Sequence, residues 1–276
     1  MERHYLFPEI IFMDIDSLLL QLQTGGWCVI EEVIPQNEVA RVRRSVLETV
    51  TRHRNPNAPK DIGFVSGLIN HDQSFAPYLA DPRLLSLAER LFGRHVRISM
   101  TSAIVNYPGN ERGGLHADWP YNQNNAGHIS APYPDALTHL TTLWMLSEFR
   151  GENGGTLVVP GSHRIPDNPT GNISLDPKAP HPGEVQATGP AGSVMVFDSR
   201  LWHATAPNRS AEPRVALAVR YAPWWLNLEV MMPGSDERAR MVEEPGKTEN
   251  QVPPVPKTVY DALPADVKPL YRHWIR

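Results

Sequence analysis

Gly114-Leu115-His116-Ala117-Asp118-Trp119-Pro120 is the stretch on which the fold turns. His116 and Asp118 are two apart. On an extended strand, side chains two apart share a face. An imidazole and a carboxylate therefore converge on one point, just before Pro120 ends the strand. One more ligand completes a facial triad of two histidines and one carboxylate, which leaves positions open on non-haem Fe(II). His203, in Leu201-Trp202-His203-Ala204-Thr205, offers that ligand far along the chain. Alone, His116-x-Asp118 is weak evidence, because eleven histidines and 30 acids place such a pair somewhere by chance.

Outward from this stretch the period is that of strands. Strands are expected at 96–107, 113–118, 140–146, 156–159, 185–188, 193–197, 202–206 and 214–221, separated by Gly, Pro and Asn turns. On 96–107, Ile98, Met100, Ser102, Ile104 and Asn106 are expected on one face. Many short strands with regular turn signals suggest a sandwich or barrel. The 27 prolines favour loops and short elements over a helical bundle. Upstream, residues 14–24 read as a short amphipathic helix capped by Asp14 or Asp16. Trp27–Val33 reads as a strand. Val39, Val42, Val46 and Val50 give a helical stripe over 35–53, and Asp81-Pro82 opens a helix closed by Gly93. Residues 54–74 read as a loop or flap and 119–138 as a long functional loop. Short helices are expected at 259–263 and 266–274.

Composition narrows the function. The chain has 276 residues and a net charge of −4, with no long basic run, so no nucleic-acid footprint is expected. Cys28, the single cysteine, excludes an internal disulfide and a thiolate metal cluster. Its apolar neighbours make it a small buried hydrophobe. Acids interrupt each N-terminal apolar run, and no stretch approaches a membrane span. A soluble, cytoplasmic protein acting on a small molecule is expected, with oligomeric state unread. No composition break marks a second domain. The expected division is a helical flank at about 1–94, a β core at about 95–223 and an extension at about 224–276.

The sequence resembles the phytanoyl-CoA dioxygenase family of Fe(II)/2-oxoglutarate oxygenases. The resemblance rests on GLHADWP, on ENGGTLVVPGSHR (152–164), on DSRLWHATAPNRSAEPR (198–214) and on the entry GGWCVIEEVIP (25–35). It implies a mainly β chain, a double-stranded β-helix of jelly-roll type with flanking helices. It implies that His116, Asp118 and His203 ligate Fe(II), and that 2-oxoglutarate and O2 are cosubstrates. Arg214 matches the arginine that grips the distal carboxylate of 2-oxoglutarate, a bidentate task suited to guanidinium. Thr205 matches a hydroxyl contact to the cosubstrate, and Trp144 an aromatic of the pocket. Trp119, Tyr121, Asn122 and Gln123 follow the ligands directly and are expected to line the substrate pocket, with Arg200 as a further contact. His163 is expected to hold the PGSH turn. His128, His139 and His181 are expected at surface or loop positions. Asp118 stands where related halogenases carry a small residue, so hydroxylation is expected rather than halogenation. Desaturation, epoxidation and cyclisation stay open. So do a non-catalytic metal-binding jelly roll and, more weakly, a zinc hydrolase.

Overall fold

The computed structural model describes residues 15–55, 59–171 and 175–276. A six-stranded antiparallel sheet carries the molecule, in the order β1-β7-β4-β9-β3-β2. Its members are β1 (Trp27–Ile30), β2 (Ile62–Ser66), β3 (Arg97–Asn106), β4 (Leu140–Met145), β7 (Val194–Asp198) and β9 (Arg214–Ala222). A smaller sheet, ordered β6-β5-β8, is built from β5 (Leu157–Val158), β6 (Val185–Gln186) and β8 (His203–Ala204). Two antiparallel sheets with helices against the larger one form the double-stranded β-helix that the family resemblance implied.

The central strands β4, β7 and β9 are buried on both faces. They therefore read as near-continuous apolar runs rather than as alternation. Their outer face packs with α1 (Ile15–Gly25), α2 (Gln36–His53) and α3 (Pro82–Phe92) into the larger core, through Leu18, Leu22, Val42, Val46, Leu84 and Leu87 among others. The inner face is a smaller core of Leu143, Met145, Phe149, Val158, Met195, Phe197, Ala216 and Ala218. The cavity described below opens within this inner layer. α3 is capped as its sequence dictates: Asp81 accepts from the backbone N–H of Arg83 and Leu84, Pro82 takes the first turn, and Gly93 ends the helix. Asp16 lies inside the first turn of α1, and Asp14 lies outside the described residues.

Three local expectations change. Residues 54–74 contain β2, an edge strand paired with β3 from Ile62↔Asn106 to Ser66↔Ser102. Its short run is broken by Gly63 and flanked by polar residues, which hid it. Residues 113–118 form a single bridge, His116↔His203, rather than a regular strand. In β3 the register shifts between Ile98 and Met100, so one extra residue breaks the alternation expected there. Cys28 is buried as expected, and burial pushes its thiol up to about 12. No helix among the described residues is long and apolar enough to cross a membrane.

Candidate metal centre and cosubstrate cavity

The single bridge is what assembles the centre. His116 N–H donates to His203 O at 3.0 Å, and His203 N–H donates to His116 O at 2.9 Å. The two histidines are thus direct cross-strand partners, with ring centroids 4.3 Å apart. β8 is in turn pinned to β5 by the pair Val158↔His203. The GGTLVVPGSHR segment therefore forms the strand beside a proposed ligand. Its PGSH turn places the buried His163, through Nε2, against Gln23 O at 3.2 Å, which holds a loop to α1 as expected.

Asp118 completes the cluster. Its N–H donates to Ser199 O at 2.8 Å. Its Oδ1 lies 4.0 Å from His116 Nε2 and 3.8 Å from His203 Nε2. One donor atom from each of the three residues lies within 4.8 Å of the others. The tautomers suit a metal. His116 Nδ1 is 2.9 Å from Gly114 O, and His203 Nδ1 is 2.9 Å from Leu201 O. A carbonyl can only accept, so each Nδ1 carries the proton and each Nε2 lone pair faces the carboxylate. Burial, then the neighbouring His116, lowers the pKa of His203 to about 4, so it is neutral at pH 7. Burial alone would raise the Asp118 carboxyl, but the Arg220 guanidinium, the two imidazoles and the Thr141 hydroxyl hold it well below the usual carboxylate range. Two imidazoles and a charged carboxylate on one side of a cavity match the donor set of non-haem Fe(II).

The cavity beside them has a volume of about 120 Å³. Ile104, Leu143, Phe197, Ala204 and Ala218 give it apolar walls, while Thr141, Thr156, Thr205, Arg214 and Arg220 bring polar groups. This is far below the ~300–1,000 Å³ of pockets for drug-sized ligands, so it suits a small dicarboxylate. Arg214 is fully buried, and burial lowers its pKa to about 9, which leaves it charged at pH 7. Its Nε–H donates to Gly154 O at 3.0 Å, and its guanidinium lies over the Phe149 ring at 4.6 Å. These contacts fix the plane of the fork. Among the described residues, none forms an ion pair with it. Thr205 lines the same cavity. The side chain of His116 is 35% exposed against 6% for Asp118 and 10% for His203, so the centre opens to solvent on the His116 side.

Other expected residues lie elsewhere. Trp144 is fully buried in the outer core and donates to Thr142 Oγ1 at 2.8 Å. On β4 the cavity takes Thr141 and Leu143, so the alternate residues Thr142 and Trp144 face the helices. The loop after Asp118 turns back at once, with Tyr121 N–H donating to Asp118 O at 2.7 Å. Trp119 and Tyr121 are buried, and Tyr121 hydrogen-bonds Thr138. Gln123 donates to Tyr133 Oη at 2.7 Å, and Asn122 caps Asn124 N–H at 3.0 Å. None of these four lines the cavity. Arg200 is buried against Asp198 at 2.8 Å, in a separate cleft beside α1. His139 is no surface residue. It is fully buried between Ser99 Oγ at 2.8 Å and Ser199 Oγ at 2.9 Å.

Arg220 is, with Thr141, a cavity residue at the carboxylate that the sequence reading missed. Its Nη2 donates to Asp118 Oδ1 at 2.6 Å. The available signal was parity: Arg214 and Arg220 are six apart on one strand and so share a face.

The profile of the phytanoyl-CoA dioxygenase (PhyH) family matches residues 22–216. The chain belongs to that family of Fe(II)/2-oxoglutarate-dependent oxygenases. An uncharacterized protein of Mycobacterium tuberculosis is 24% identical over 249 residues, which is 85% of each chain. Among solved structures, HygX from Streptomyces hygroscopicus, bound to nickel, 2-oxoglutarate and hygromycin B, is similar with a TM-score of 0.62 and 20% identity, over 86% of this chain and 95% of that one. The epimerase SnoN, in complex with Fe3+, alpha ketoglutarate and nogalamycin RO, is similar with a TM-score of 0.59 and 21% identity, over 76% and 83%. At these identities the likeness speaks to the fold.

Proposed function

We propose that this chain uses Fe(II), 2-oxoglutarate and O2 to hydroxylate an unactivated C–H bond of a small or medium-sized organic molecule, releasing succinate and CO2. One observation carries the reading. The three donor atoms of His116, Asp118 and His203 share a cavity with a buried arginine, Arg214, that has no acidic partner among the described residues. A site that only binds metal has no use for such an arginine, and a zinc hydrolase would need a general base that the lining lacks.

In this reading His116, Asp118 and His203 hold the iron, which with 2-oxoglutarate and O2 supplies the oxidising chemistry. Arg214 receives the distal carboxylate of the cosubstrate bidentately, with Thr205 beside it. The fork is pre-aimed by Gly154 O and Phe149, so little of it must be ordered on binding. The apolar walls exclude water and strengthen that ion pair. Thr141 and Arg220 keep Asp118 ionised and in place. The organic substrate approaches from the exposed His116 side. SnoN, named an epimerase, is a reminder that similar folds support other outcomes of the same oxidation.

The test is incubation of the Fe(II)-loaded protein with 2-oxoglutarate and a library of small metabolites under air. Succinate release that depends on one compound, with a product heavier by one oxygen atom, is the expected result. A product lighter by two hydrogens would replace hydroxylation with desaturation or ring closure. Absence of 2-oxoglutarate binding to the metal-loaded protein would overturn the class of reaction.

A further inference from the structure

Arg220 steadies Asp118 with one of its donors, yet it is one cation more than the charges of metal and cosubstrate call for. The lining of the cavity holds one carboxylate, Asp118, and two guanidinium groups, Arg214 and Arg220. Fe(II) and the 2-oxoglutarate dianion cancel each other, so the loaded site keeps one positive charge. Its other walls are largely apolar, and an uncompensated charge in such surroundings is unfavourable.

The two arginines do not serve one anion. Six residues along β9 separate their Cα atoms by roughly 20 Å, too far to share a carboxylate. Arg214 sits at the start of the strand and Arg220 near its end, beside Asp118. Arg220 is also under-used. Of its five N–H donors, one meets Asp118 Oδ1 at 2.6 Å. Nη1 meets only the Met100 sulfur, at 3.4 Å, a weak acceptor. Nε is buried with no partner. Asp118 does not depend on it alone, since the Thr141 hydroxyl already holds Oδ2 at 2.7 Å.

We propose that Arg220 sets substrate specificity by receiving a carboxylate of the organic substrate, which is therefore an organic anion. This assignment rests on the oxygenase reading above. The substrate's negative charge brings the loaded site to neutrality, and its two oxygens use the spare donors of a planar fork. Binding at Arg220 fixes the substrate beside the metal, so the carbon to be oxidised lies a few bonds from the acid group.

The experiment uses Zn(II)-loaded protein saturated with 2-oxoglutarate, which keeps Arg214 occupied and turnover silent. Acid and amide pairs of graded size (acetate, hexanoate and benzoate against their amides) are titrated and followed by saturation-transfer NMR. In the wild type, at least one acid binds about tenfold or more tighter than its amide, the range of a charged hydrogen bond. Arg220→Gln erases the preference, and Arg220→Lys keeps part of it. Retained 2-oxoglutarate binding shows that each variant is folded. Equal binding of acids and amides, a preference that survives in Arg220→Gln, or no acid binding at millimolar concentration overturns the proposal. If those results come with 2-oxoglutarate bound, only this inference falls. If 2-oxoglutarate itself fails to bind, the oxygenase reading falls as well.

Discussion

The Thr141 hydroxyl donates to Asp118 Oδ2 at 2.7 Å, on the carboxylate oxygen turned away from the imidazoles. Thr141 Oγ1 is itself 2.9 Å from Ser199 Oγ. Ser199 reaches His139 Nδ1 at 2.9 Å, and His139 Nε2 reaches Ser99 Oγ at 2.8 Å. A buried run of hydroxyl and imidazole groups thus stands behind the carboxylate and fixes its orientation from the core side. Outer partners of this kind orient a ligand and raise its basicity, and losing one weakens metal binding.

Thr141→Val tests that support, because it keeps the shape of the side chain and removes the donor. Metal affinity should fall by roughly 10- to 100-fold, read by chelator competition with Mn(II) or Zn(II). Stability should fall by about 1–3 kcal/mol, since Oδ2 is left buried without a donor. Unchanged metal affinity would reduce Thr141 to a packing residue.

Arg214→Met should weaken 2-oxoglutarate binding by about 1.5–3 kcal/mol, the value of a hydrogen bond to a charged group, while leaving metal affinity nearly intact. Calorimetry of the Zn(II)-loaded protein measures both. Arg214→Lys should recover only part of the loss, because an ammonium cannot reproduce the fork that Gly154 and Phe149 align.

His139 predicts a pH dependence of stability. Burial lowers its pKa to about 3, with Arg220 lowering it further and Asp118 opposing. The folded state keeps the ring neutral, while the unfolded chain takes up a proton below about pH 6.5. The stability it contributes is therefore complete above about pH 6.5 and is lost as pH falls toward about 3. Urea unfolding of the metal-free protein should show a shallower acid slope in His139→Gln than in the wild type. The variant should also be less stable at neutral pH, by about 1–3 kcal/mol, for two serine hydroxyls without their partner. Parallel slopes would show that other buried groups, such as His203, carry the acid response.

Much of the centre was legible before any coordinates. The two-residue spacing pairs His116 with Asp118, and the family resemblance adds His203; the bridge His116↔His203 that joins them shows only in the structure. Arg214 came from the family resemblance alone, and the structure places it in the cavity wall. What failed is parity and loop direction. Trp144 looks like a pocket aromatic, yet only its position relative to Thr141 and Leu143 tells that it faces the helices. The residues after Asp118 adjoin it in sequence, but a tight turn carries Tyr121 into a small core with Tyr133 and Trp202, while Trp119 joins the larger core. Arg220 was missed because a charge inside a strand reads as an outward position unless a partner is known. Its partner, Asp118, lies on a segment with no regular pairing of its own. β2 was hidden because a five-residue edge strand interrupted by Gly63 carries little apolar signal.

Asp118→Ala should do more than remove a ligand. The side chains of Asp118 and Arg220 are 6% and 13% exposed and 2.6 Å apart. Deleting the acid leaves a guanidinium facing two imidazoles with no counter-charge. Breaking a buried pair in this way costs about 3–5 kcal/mol, so the variant should lose both metal binding and stability. The two losses separate in a double-mutant cycle. Adding Arg220→Met to Asp118→Ala removes the stranded charge, and stability should return to within about 2 kcal/mol of the wild type, as happens when a buried pair gives way to apolar groups. Metal affinity should not return. Urea unfolding reads the first arm and chelator competition the second. Additive destabilisation in the double variant would show that the two side chains are adjacent without being coupled.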